Sequence, residues 1–235
     1  PRRTAGKPMK QNDWVNVQPT TDSPYYPFWK VLASNSMAGA ETLPYLLSRY
    51  LMDMESPGYT PPSDNRYPRA RLKKLLYWDG ERPLSQPLPT GEQIRTILFD
   101  PELPANPPDE KRGYRVFAQD LTRQSQYNAQ SILRIALGEI TTIRDRNRAV
   151  YRQTVIYTIM TNYAQEANLG TPGNSRSYAM LQAVMEATEG VNVGGVGPLF
   201  MSRVTKVDDE RANLGYKLYQ YVDWYGTDEH PTFAE

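Results

Sequence analysis

The sequence predicts an α+β fold, a mostly antiparallel sheet with helices packed on it, and three observations carry that expectation. Tyr151–Tyr163, YRQTVIYTIMTNY, is the most strand-like run in the chain, rich in the β-branched and aromatic residues that suit a pleated surface. It sits inside a strand–strand–helix–strand–strand order, with strand patterns at 131–140, 199–207 and 216–225 and a helix pattern at 175–188. Leu43, Leu46, Leu47, Tyr50, Leu51 and Met54 fall at i, i+3, i+4, i+7, i+8 and i+11, the spacing of one apolar helical stripe.

That stripe predicts a helix over 40–55. Pro44 is accepted in its first turn, and Ser56-Pro57-Gly58 ends it. In Ser131–Ile140, Leu133, Ile135 and Leu137 alternate against Ile132, Arg134, Ala136 and Gly138, a strand with one richer face. Residues 141–150, TTIRDRNRAV, then read as a polar connection, the long charged tip of a hairpin. In Tyr151–Tyr163, Val155, Tyr157 and Ile159 share one face while Ile156 and Met160 occupy the other. A strand apolar on both faces belongs inside a sheet, covered on both sides. The helix at Ser175–Thr188 places Tyr178, Leu181, Val184, Met185 and Thr188 on its apolar face and stops at Gly190. Val191–Gly197 reads as a flexible link, and Asp208–Asn213, DDERAN, as an acidic turn before the closing strand. There Lys217, Tyr219, Tyr221, Asp223 and Tyr225 face away from Tyr216, Leu218, Gln220, Val222 and Trp224.

Three segments frame this domain. Residues 1–30 form a basic and aromatic arm, with Arg2, Arg3, Lys7 and Lys10 followed by SPYYPFWK. Prolines there forbid a regular helix, so Tyr25, Tyr26, Phe28 and Trp29 are presented from an extended segment, to pack on the domain or dock on a neighbouring chain. Residues 31–228 make a single domain interrupted by a proline-rich insertion at 57–113, read as a long loop that wraps a surface or meets a partner. Within it Arg69–Trp78 sets basic residues beside Leu72, Leu75 and Leu76, and Thr90 is an N-cap for a short helix at 90–99. Residues 229–235 are a polar tail. Beginning at Pro1, the chain reads as one that has lost its initiator methionine.

Composition excludes several function classes. Net charge is +1, so no global field draws the protein onto nucleic acid or membrane. Without cysteine there is no thiol nucleophile and no thiolate metal site. No apolar run approaches the ~20 residues of a membrane span, and PRRTAGKPMKQ leads into no apolar signal core. The single histidine, His230, lies in the polar tail, where nothing fixes the geometry that a general base needs. The glycines at 190, 194, 195 and 197 match neither phosphate-loop motif and read as a turn. The sequence therefore carries no catalytic residue, no cofactor site and no metal site. Instead it carries 17 tyrosines against 5 phenylalanines, a bias that suits surfaces covered by a partner but not fully dry.

The sharpest polar feature is the arginine cluster Arg144, Arg146 and Arg148, with Asp145 among it. It reads as a protein-pairing tip, matched to Asp208, Asp209 and Glu210 of the same or an adjacent subunit; phosphate binding is the alternative.

Over Tyr151–Tyr225 the order of elements resembles that of the tailed-bacteriophage tail-terminator proteins and the related neck and minor-tail proteins. YRQTVIYTIMTNY is similar to that family's central strand, SRSYAMLQAVMEATEG to its helix and PLFMSRVTKVDDERANLGYKLYQYVDWYG to its closing hairpin; the stripe Leu43–Met54 is similar to the helix that opens the fold. The resemblance covers about half the chain and rests on element order, with the basic arm and the 57–113 insertion as departures. It implies a tail-terminator-like fold and a virion protein of the tail or neck, assembled in the host cytoplasm. Its copies would form a homo-oligomeric ring, commonly a hexamer, at the head-proximal end of the tail. The implied partners are other copies of the chain, the tail tube protein and the neck or connector protein, with DNA passing through the ring lumen and no membrane. Two readings from other classes stand beside it. One is a nucleic-acid-binding module with a ferredoxin-like sheet, using surface aromatics to stack bases; the other is an enzyme without a recognisable motif.

Overall fold

A computed structural model describes residues 43–52, 63–90, 93–94, 115–118, 131–145, 148–166, 175–193, 197–209 and 213–225. Four helices, α1 (Leu43–Met52), α2 (Pro68–Tyr77), α3 (Tyr163–Glu166) and α4 (Arg176–Thr188), accompany five strands, β1 (Val116–Phe117), β2 (Ser131–Asp145), β3 (Arg148–Asn162), β4 (Phe200–Asp209) and β5 (Asn213–Tyr225). The strands form one sheet in the order β1-β2-β3-β5-β4. Only the two-residue β1 runs parallel to its neighbour; the four long strands alternate in direction. The α+β class and the mostly antiparallel sheet are as the sequence predicts.

β3 is central, and its burial follows its pattern. Val155, Tyr157 and Ile159 are fully buried, and with Leu133, Ile135, Leu218 and Val222 they make the floor of the core. On the opposite face Thr158 and Met160 are buried, as are Ile132 and Arg134 of β2, whereas Arg152, Thr154 and Ile156 are only half-buried. The sheet is thus covered on both sides only toward the Asn162 end of β3.

The helices close the inner face. Ser175 caps α4, its hydroxyl accepting from Tyr178 N at 3.1 Å and satisfying one of the orphan amides of the first turn. Gly190, at φ 70°, ends it, since a left-handed residue after the last turn is cheapest for glycine. The buried face of α4 is Ser177, Met180, Leu181, Val184, Ala187 and Thr188, and Tyr178 is exposed. This corrects the expected face at Tyr178 alone; Leu181, Val184 and Thr188 are buried and Met185 packs against the core, as expected. α1 is buried on nearly every side, with Arg49 its one residue that is not. A single stripe was expected; in fact α1 is a core helix. Its Tyr50 hydroxyl donates to Ala187 O at 2.9 Å, joining it to α4.

The largest correction concerns 57–113. Leu72, Leu75 and Leu76 of α2 are fully buried in the main core, and Lys73, Arg69 and Lys74 are buried with them. Arg71 pairs with Glu186 of α4 at 2.6 Å. Asn65 Nδ2 donates to Leu84 O at 2.8 Å and Lys74 Nζ to Asn65 Oδ1 at 3.0 Å, which folds 63–85 into one unit. Burial holds the Lys74 ammonium below its ordinary pKa. Residues 68–77 are therefore part of the core and not a wrapping loop. The cap at Thr90 is partly described: Ile94 N donates to Thr90 O at 3.1 Å and Thr90 N to Gln93 Oε1 at 2.8 Å, half of a capping box.

The sheet's turns are tighter than expected. β2 and β3 stay paired out to Asp145↔Arg148, so the polar connection at 141–150 is mostly strand. Thr141, Thr142, Ile143 and Val150 are β-branched, and cross-strand pairing outweighs the charges among them. Likewise Asp208 and Asp209 lie in β4 and Asn213 in β5. Val191–Gly197 is anchored at both ends, Leu199 N donating to Val191 O at 3.1 Å and Gly190 N to Leu199 O at 2.7 Å.

Candidate interaction surface

β5 presents two faces, as its alternation predicts. Leu218, Gln220 and Val222 point into the core, while Lys217, Tyr219, Tyr221 and Asp223 are half-buried on the outer face. The register sets Arg152 of β3 directly opposite Asp223 of β5, and the two close a bidentate pair, Nε to Oδ1 and Nη2 to Oδ2, both at 2.7 Å. This hydrogen bonding holds the Arg152 guanidinium above its ordinary pKa. The same guanidinium lies 3.9 Å from the Tyr221 ring centroid, and Phe200 of β4 meets that ring at 5.9 Å. Two residues along β5, Arg203 of β4 lies 4.3 Å from the Tyr219 centroid.

On the outer face Tyr219 and Tyr221 thus each carry a guanidinium of the same chain. Cation–π pairs of this kind contribute ~0.5–1 kcal/mol each at exposed sites. A ring already covered on one face is a poorer platform for a nucleic-acid base than a bare one. This face suits contact with a protein surface, where rigid aromatic and arginine side chains are favoured anchors.

A second polar assembly lies near the Asn162 end of the sheet. Asp79, just after α2, accepts both terminal nitrogens of Arg115 and also Gln165 Nε2 at 2.8 Å. Gln165 Oε1 accepts Arg176 Nη1 at 2.9 Å, and Arg176 Nη2 donates to Gly80 O at 2.8 Å. Burial lowers the Arg176 pKa. Glu166 accepts from both the amide and the hydroxyl of Ser177. These carboxylates are filled from within the chain, so the group acts as a clamp joining α2, α3, α4 and the segment before β1. Among the described residues no three His, Cys, Asp or Glu side chains stand close enough to hold a metal ion, and no helix is long and apolar enough to cross a membrane.

The residues singled out from the sequence are separated by this architecture. Arg144 and Arg148 lie at the end of the β2–β3 hairpin, level with Tyr225, while Asp208 and Asp209 lie at the other end of the sheet, level with Asn162. The 12 register steps between Val150↔Tyr225 and Asn162↔Asn213 span about 40 Å at ~3.3 Å per residue. Strand register thus keeps Arg144 and Arg148 apart from Asp208 and Asp209 within one chain. Arg146, Glu210, Tyr25, Tyr26, Phe28 and Trp29 lie outside the described residues. Sequence reasoning missed the Arg152–Asp223 pair and the Arg203–Tyr219 contact. The alternation in β5 grouped Tyr219, Tyr221 and Asp223, but choosing their cross-strand partners needs the register.

Compared with known proteins, the chain matches no family model and no curated sequence.

Proposed function

We propose that this chain is a non-enzymatic structural protein of a tailed-phage virion. It assembles into a homo-oligomeric ring at the head-proximal end of the tail, terminating the tail tube and joining it to the neck or connector. The observation that carries the reading is the order of elements over 131–225: two long antiparallel strands, a helix, then two more, folded as one sheet backed by that helix. It is the order that the resemblance to tail-terminator and neck proteins rests on. A ring protein of this kind needs open sheet edges and rigid aromatic anchors, and among the described residues β4 offers such an edge and the outer face of β5 such anchors. The nucleic-acid-binding alternative has less support, because the outer tyrosines already carry guanidinium groups and the net charge is only +1.

Size-exclusion chromatography with light scattering tests the reading. The expected mass is a multiple of the 26.9 kDa chain, with annular particles by negative-stain electron microscopy. A monomer that binds single-stranded DNA with strong salt dependence would overturn it.

A further inference from the structure

Among the described residues the sheet leaves two edges open. Among the described residues β4 pairs with β5 alone, and residues 201–206 are exposed one after another. At the far edge, β1 covers β2 only at Leu133 and Arg134, and among the described residues no strand pairs with that side of β2 from Ile135 to Asp145. Unpaired strand edges are templates for another chain, and these two carry the exposed apolar side chains to match. Of the seven large hydrophobic residues exposed among those described, four lie here: Ile140 (44%) on β2, and Phe200 (42%), Met201 (44%) and Val204 (37%) on β4.

Resting on the ring reading above, we infer that copies of this chain join head to tail by strand addition, the β4 edge of one copy pairing with the open stretch of β2 in the next. Three observations select a second copy as the occupant. Because the long strands alternate, β2 and β4 run in opposite directions; copies placed side by side in the same orientation therefore meet antiparallel, and the alternation continues through the junction. The exposed run of β4 carries Arg203 and Lys206, and the exposed run of β2, 139–142, carries Glu139 and no cation. Both open strands also contain a register irregularity, between Leu137 and Ile140 and between Met201 and Arg203. Such bulges discourage indiscriminate edge pairing and favour one register. A contact between two different surfaces, repeated with rotation, closes into a ring, whereas a self-complementary contact gives a two-fold dimer.

Two exposed positions test this, Ile140→Lys on the β2 edge and Val204→Lys on the β4 edge, with circular dichroism and urea titration checking that each variant keeps its fold. A multi-subunit wild type, a single-chain mass for each variant alone and a 1:1 dimer on mixing them support the inference, because the mixture retains one intact junction. If the wild type assembles and both variants assemble equally well, the edge inference falls while the ring reading stands. Assembly of Ile140→Lys alone at the wild-type level would instead mean β4–β4 pairing and would overturn the head-to-tail junction. A monomeric wild type removes the ring reading and this inference together.

Discussion

At the scale of single residues, the closest approach in the sheet is at Gly215. A Cβ built there would stand 1.9 Å from Ile159 O in the neighbouring β3, a backbone atom with no freedom to turn aside. Gly215→Ala must push β5 off β3, and the expected loss is about 3 kcal/mol or more, read by urea denaturation. Tyr157 tests burial differently. Its ring is fully buried under α4, its hydroxyl lies beside Thr188 without closing a hydrogen bond of normal geometry, and burial pushes its pKa well above the ordinary tyrosine range. The folded chain keeps the phenolic proton that the unfolded chain loses near pH ~10, so stability falls as pH rises above about 10 and is unaffected below it. Tyr157→Phe should lie within ~1 kcal/mol of wild type at neutral pH. It should also lack up to about 1.4 kcal/mol per pH unit of the alkaline loss, measured by denaturant titration across pH 9 to 11. An equal alkaline slope in both proteins would show that Tyr157 does not contribute.

At the scale of elements, α2 decides how much of the proline-rich stretch is structural. Leu75 is fully buried among α1, α4 and the sheet, so Leu75→Ala leaves a cavity in the main core and not a hole in a loop. The expected cost is roughly 2–5 kcal/mol, visible as a lower urea midpoint with an unchanged slope. A wrapping segment would lose far less. The reason α2 escapes a reading by pattern is its charge. PRARLKKLLY sets three leucines among four basic residues, a pattern that does not by itself mark a core helix. Here, however, the aliphatic stems of Arg69, Lys73 and Lys74 lie inside the fold, with Arg69 stacked over Tyr50 at 4.7 Å. Long basic side chains bury their stems and bring their charged ends to polar partners, and only the packed neighbours show which of them do so.

At the scale of the whole molecule, the described residues form a ribbon of four long alternating strands with α1, α2 and α4 on one face and both long edges open. A monomeric protein usually covers, shortens or charges such edges. Here α1, α2 and α4 all pack on the inner face, and none closes β4. The ring prediction belongs at this scale: assembly converts both edges into interior pairs, so the wild-type mass and its loss in the edge variants read a property of the sheet and not of one side chain.

The sequence by itself determined the four long strands, α4 and their order, because period-two alternation at 131–140, 151–163 and 216–225 and an apolar stripe at 175–188 are local signals. It also determined the central place of β3, since a strand apolar on both faces has to be interior. Tertiary structure alone decided which strands are neighbours, and therefore that Arg152 meets Asp223, that Gly215 faces a carbonyl, and that Arg144 and Asp208 lie at opposite ends. It also decided that α2 is core and that the hairpin connections are short. Register and helix burial come from contacts between residues far apart in the chain. Local pattern constrains which face a side chain takes, but not what stands across from it.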